Sequence, residues 1–208
     1  MNRYILLLLV ISGFFTATAQ DAKAIFDAEK IVFYGLDFTK AKFALPDAKP
    51  DEIKKRYFKE WNNAVMTDNG RFNKESSFEK LTVYGDPYVV EKRNAEVNVA
   101  EMTAKGDYAI TQQDIESVIS NYKDGLKKEG IGVVFIVESF NKKKEEGVAH
   151  VVFFDIASRK VLLARKMTGK PGGGGLTNYW VRCFQTMFEN MSNGEFGKWK
   201  KEVMSKKY

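Results

Sequence analysis

Hydrophobic positions along the chain fall into three kinds of run. The first is continuous: Ile31-Val32-Phe33-Tyr34-Gly35-Leu36 has no polar face, so it predicts a strand covered on both sides. The second is helical. Pro50 opens a helix with Asp51 and Glu52 in its first turn, and Ile53, Tyr57, Phe58, Trp61, Ala64 and Val65 form one buried stripe. Asp68-Asn69-Gly70 ends it. A second stripe, Ile115, Val118, Ile119, Tyr122 and Leu126, follows Thr111 and Asp114, which have capping-box spacing, and Gly130 is placed as its C-terminal stop. A third comprises Trp180, Phe184, Met187, Phe188 and Met191, and a basic helix over 196–206 closes the chain.

The third kind is a meander. Ile131–Phe140, Gly147–Asp155 and Lys160–Thr168 read as strands joined by short polar links, and antiparallel hairpins are the economical arrangement. Val133, Phe135 and Val137 occupy one face, and Val134 and Ile136 the other, so helices must cover both. Residues 71–106 are the least readable. Leu81–Tyr84 predicts a short strand stopped by Pro87. The expected architecture is α+β in three layers, with a mixed sheet ending in this meander.

The N-terminus changes the picture. Arg3, the uncharged run Tyr4–Phe15 and Ala17-Thr18-Ala19 form an export signal with its cut before Gln20. The run is shorter than the roughly 18–20 apolar residues that span a bilayer, and no cysteine follows the cut to carry a lipid. Residues 20–208 are then one domain, free in the periplasm or secreted, with no transmembrane segment in the mature chain. Cys183 is the single cysteine, so no internal disulfide forms, and stability must come from packing that the 13% aromatic content can supply. Net charge is +6, and losing Arg3 with the leader leaves +5. Most lysines alternate with acids, the pattern of a solvated surface, and export argues against nucleic acid as a partner. Lys198–Lys201 (KWKK) is more exposed and suits an anionic surface.

Catalytic chemistry is sparse. His150 is the single histidine, which excludes a multi-histidine zinc site within one chain. HExxH, CxxC, GxSxG and a Walker loop are absent. Cys183 lies on the buried stripe of its helix and reads as an inert thiol rather than a partner for His150. Pairing Phe140 with Val148 and Asp155 with Lys160 places Ile136 opposite Val152 and Val152 opposite Leu163. It also builds a row Glu138–His150–Arg165, read as a register-fixing ion pair or a ligand-binding row. The glycine run 172–175 follows the third meander strand. Lys170, the amides of Gly173 and Gly174, and Thr177 as helix cap could hold a small anion there, although a plain strand-to-helix crossover explains the same residues. No cofactor or metal is implied.

From Asp107-Tyr108 and Thr111 through IGVVFIVESFNK, VVFFDIASRKVLL and TGKPGGGGLTNYW, the chain resembles small exported bacterial proteins of unknown function. Its element order is also similar to periplasmic domains of the TolB N-terminal and CsgG/LpoB kind, which implies envelope-assembly or protein-docking roles. Gln20 directly after Ala-Thr-Ala is similar to signal peptides of Gram-negative bacteria. The expected function is non-enzymatic binding of another envelope component, with a small-anion binder as the alternative.

Overall fold

The computed structural model describes residues 14–44, 48–103 and 108–205. Residues 1–13 of the predicted leader and Lys206 of the predicted last helix lie outside the described residues. Six described strands form one mixed sheet in the order β3-β1-β4-β5-β6. They are β1 (Lys30–Asp37), β2 (Lys42–Ala44), β3 (Thr82–Gly85), β4 (Ile131–Asn141), β5 (Glu146–Asp155) and β6 (Val161–Gly169). Strand β1 lies parallel to both β3 and β4, while β4, β5 and β6 form the expected antiparallel meander. Strand β2 pairs with β4 at Ser139–Asn141, just beyond the point where β1 ends opposite Ile136.

Helices α1 (Phe14–Asp27), α2 (Pro50–Glu52), α3 (Phe58–Thr67), α4 (Lys74–Ser77), α5 (Tyr88–Ala95), α6 (Gln112–Ser120), α7 (Gly175–Asn190) and α8 (Phe196–Ser205) accompany the sheet, with a 3-10 turn at Val99–Glu101 and a π-turn, Met191–Glu195, between α7 and α8. Pro50 does open a helix, and a π-turn, Ile53–Tyr57, joins α2 to α3. Its extra residue per turn lets Ile53, Tyr57, Phe58, Trp61 and Val65 all face inward.

Both faces of the sheet are covered, as their composition demands. On the first face α1, α3, α7 and α8 pack over Phe33, Phe135, Phe140 and Phe153. Phe188 stacks on Phe135 at 5.1 Å, and Trp180 on Phe140 at 4.6 Å. On the second face α5 and α6 cover Val32, Tyr34, Val134, Ile136, Val152 and Phe154. Such rings bury roughly 150–250 Å² each and dominate the core energetics.

Two elements depart from the expected pattern. Helix α6 starts at its capping box, with Thr111 and Asp114 bonded reciprocally, but stops at Ser120 rather than near Gly130. Asn121 caps it, Tyr122 turns inward to donate its hydroxyl to Asp37 (2.9 Å), and Asp124 takes a left-handed φ of 68°. The chain therefore leaves the helix axis, and Leu126 ends exposed on a strap over 121–130. The difficult stretch 71–106 holds α4 and α5 beside the expected strand. Pro87 both ends β3 and caps α5, in which Val89, Val90 and Asn94 are the buried residues, too few for a stripe.

Helix α7 sits on the sheet at a two-glycine seat. Gly147 and Gly169 are cross-strand partners. A Cβ on Gly169 would stand 2.0 Å from the Cys183 carbonyl oxygen, and one on Gly147 would stand 2.9 Å from its sulfur. Overpacking of this kind has no flexible neighbour to absorb it. Gly169→Ala should lower unfolding free energy by about 3 kcal/mol in urea titration, whereas Gly172→Ala, meeting ordinary contacts at 3.6 Å, should change it by less than about 0.5 kcal/mol.

Candidate functional site

Glu138 is the residue at which the first hairpin slips. The β4–β5 register shifts between Val137 and Ser139, so Glu138 bulges out of the ladder. Phe140 consequently pairs with Gly147 rather than Val148, and Val152 faces Val134 rather than Ile136. The carboxylate still reaches His150 diagonally, its Oε2 lying 2.9 Å from Nε2 and accepting the Ile110 N–H at 3.1 Å. Oε1 accepts from Lys166 Nζ at 2.7 Å.

Lys166 thus stands where Arg165 was expected. The Asp155–Lys160 link forms, with Asp155 N–H donating to the Lys160 carbonyl at 2.9 Å. A second irregularity at Leu162, between Val161 and Leu163, then places His150 opposite Lys166, and Ala164 rather than Leu163 opposite Val152. One residue of slip sends Arg165 to the other face, where it meets Glu202 of α8 at 2.8 Å.

Burial alone would raise the pKa of Glu138. Hydrogen bonds from Lys166, His150 and the Ile110 amide outweigh that and hold the carboxyl below the usual range. Three donors, from β5, β6 and the segment entering α6, meet the carboxylate, so the group is a tie between these and β4.

Sequence reading missed a second tie. Asp37, fully buried at the end of β1, accepts from Arg93 Nε at 3.0 Å and Tyr122 hydroxyl at 2.9 Å on Oδ2. Its Oδ1 accepts from the amide and hydroxyl of Thr39. Burial first, and the Asp37 charge second, push the Tyr122 phenol well above its ordinary value, which keeps it a donor. These carboxylates lie near the C-terminal ends of parallel strands, where open α/β sheets commonly bind ligands. Here Arg93, Tyr122, His150 and Lys166 occupy them, and β2 extends the sheet past the end of β1.

The glycine end belongs to the first face, whereas Glu138 and His150 lie on the second, so the structure separates the two expected groups. Gly174, not Thr177, caps α7. Thr177 sits inside the first turn and donates its hydroxyl to Glu60. Lys170, Gly173 and Gly174 line a shallow hollow of about 620 Å³ with Arg71, Asn178 and Arg182. Arg71 is paired with Asp68 (2.6 Å) and Arg182 with Glu189 (3.3 Å). Cys183 is buried on the first face, its thiol pushed up to about 12 by burial, and the sheet stands between it and His150. Among the described residues, no group of three or more His, Cys, Asp and Glu side chains could hold a metal.

The surface offers a different feature. Tyr84, at the outer edge strand β3, is 41% exposed, Tyr88 at the start of α5 is 54% exposed, and Leu126 on the strap is 74% exposed. Asp86 ties the strap to the end of β3: it lies between the two tyrosines in sequence and accepts the Leu126 N–H at 2.6 Å. Lys127 Nζ stands 4.9 Å over the Tyr84 ring. The shortened helix α6 is what brings Leu126 here.

No protein-family model matches this chain, and no curated protein matches it in sequence. Among solved structures it is similar to the lipoprotein GNA1162 from Neisseria meningitidis, at 12% identity and a TM-score of 0.34, over 81% of this chain and 99% of that one. A likeness that distant carries no argument about function.

The Glu138 tie has a measurable pH signature. Its folded pKa is depressed, so its stabilisation is present above the ordinary carboxylate pKa and lost as pH falls through the folded value. Glu138→Gln should cost about 2 kcal/mol at pH 7 by urea unfolding, with the deficit shrinking as the pH is taken into the acid range.

Proposed function

We propose that this chain is an exported protein without catalytic activity of its own, which docks on another protein of the cell envelope. The observation that carries this reading is the exposed aromatic and aliphatic group Tyr84, Tyr88 and Leu126 at the β3 edge. Large apolar side chains drawn together on a surface mark interaction sites, and tyrosine is enriched among residues that dominate binding energy. Glu75 Oε1 accepts the Val83 N–H at 3.2 Å, which blocks one outward backbone donor of β3. Docking therefore runs through side chains rather than by simple strand addition.

Three further observations support the reading. The N-terminal sequence has the make-up of an export signal, and no described helix is long and apolar enough to span a membrane. The buried carboxylates Asp37 and Glu138 are consumed by internal partners. A photo-crosslinking residue placed at Leu126 or Tyr88 in living cells should trap one adduct of defined mass, absent from a control at the exposed Lys55. Equal labelling at all three positions, or none at any, would contradict the proposal.

A second reading is favoured by the hollow at Lys170, Gly173 and Gly174, whose walls include Arg71 and Arg182. It makes the glycine end a receptor for a small anion such as phosphate. Titration with inorganic phosphate checks it: saturable heat that Lys170→Ala reduces supports this reading, and no heat in the millimolar range removes it.

A further inference from the structure

The turn between α4 and β3 buries a lysine that has no acid of its own. Glu79 takes a left-handed φ of 49°, and the Lys80 N–H donates to the Glu75 carbonyl at 2.9 Å. The turn folds Lys80 inward until it is only 8% exposed. Its Nζ stands 5.7 Å from the centroid of the Phe196 ring, a contact that replaces part of the lost hydration. Among the described residues it makes no hydrogen bond and no ion pair, yet the amine is not sealed from water. Lysine is almost never buried this far without a partner. Burial, and then the like charge of Lys200 on α8, push the Lys80 ammonium below its ordinary pKa, against the pull of Glu79 and Asp27.

Lys80 lines a hollow of about 620 Å³ bounded by the end of α1, by α4 and by the start of β3. Asp27, Glu29, Glu75 and Glu79 line it too, which gives these walls a formal charge of −3. Glu75 commits one oxygen to the Val83 N–H. The carboxylates of Asp27, Glu29 and Glu79 make no hydrogen bond or ion pair among the described residues. Leu81, 74% exposed next to Lys80, adds an apolar wall.

These charges select the occupant. A simple anion would find Lys80 but meet four like charges. A metal ion or a polyamine would find the acids but be repelled by Lys80. A solute with one carboxylate, two cationic groups and an aliphatic stem between them suits every wall. We propose that the hollow is a binding site for a free basic α-amino acid. Its carboxylate sits on Lys80, and its cationic groups lie among Asp27, Glu29 and Glu79. The carboxylate gives the buried ammonium the counter-charge it lacks, through charge-assisted hydrogen bonds. This site lies at the start of β3, and Tyr84 and Tyr88 lie beyond it, so it stands independently of the docking proposed above.

The test is calorimetric titration of the protein purified from its own cells. L-lysine should give saturable heat and L-glutamate none. Cadaverine, which is L-lysine without its carboxylate, should bind at least about tenfold more weakly. Lys80→Met, which keeps the length of the stem, should bring L-lysine down to the level of cadaverine and leave cadaverine no weaker. Asp27→Asn with Glu79→Gln, both exposed and so without effect on the core, should weaken L-lysine about fivefold. Glu116→Gln, on the helix covering the other face, should change it by less than about twofold. If Lys80→Met does not fold, the acid pair and the comparison with cadaverine decide the matter. No heat from L-lysine, equal binding of L-lysine and cadaverine, equal binding of L-lysine and L-glutamate, or an affinity for L-lysine that neither variant moves would overturn the proposal.

Discussion

Strands β4 and β5 carry apolar side chains on both faces, and neither face can be left in water. The rest of the fold answers that constraint. Phe135, Phe153 and Val151 require the first layer of helices, and Val134, Val152 and Phe154 require the second. The first layer approaches closely because Gly147 and Gly169 lie side by side and leave room for the backbone of α7 at Cys183. The second is thinner, and buried charge secures it: Glu138 holds the segment entering α6, and Asp37 holds α5 and the residue leaving α6. Each carboxylate is surrounded by donors, without which its burial would cost several kcal/mol.

The same constraint directs where the protein can meet others. With both faces covered, the sheet is open at its two edges, β3 and β6. Strand β3 is short, has one outward donor blocked by Glu75 and is flanked by exposed tyrosines. Strand β6 is longer and lies under α1 and α8, whose outward residues include lysines. The β3 edge thus has the make-up of the protein contact proposed above.

Much of this architecture was legible in the chain because it is local. The two-faced strands, the Thr111–Asp114 capping box, Pro50 and the Trp180 stripe declare themselves within a dozen residues. Helix α5 did not, since Val89, Val90 and Asn94 are its buried residues and three positions make no stripe. Nor did the end of α6, where a distant carboxylate, Asp37, competes for Tyr122 against the helical pattern. Register was the subtler loss. A bulge adds one residue without changing the alternation on either side, so the slip at Glu138 and the one near Leu162 leave no trace in composition.

The expected site residues met different fates for the same reason. Glu138 and His150 come together because their strands are neighbours and a diagonal contact tolerates the slip. Arg165 gives way to Lys166 because a one-residue shift exchanges faces. Asp37, Arg93 and Tyr122 were invisible as a group, being 56 and 85 residues apart from the aspartate. Leu126 was assigned to a buried stripe and instead stands 74% exposed on the strap.

We propose that this protein works through the β3 edge of a closed sheet and not through a site within it. Hydrogen–deuterium exchange, comparing the purified protein with the same protein in its native envelope preparation, measures that directly. New protection should appear at 82–88 and 122–128, while β4 and β5 exchange equally slowly in both states. Protection gained instead at 170–178 alone, or no difference between the two preparations, would contradict it.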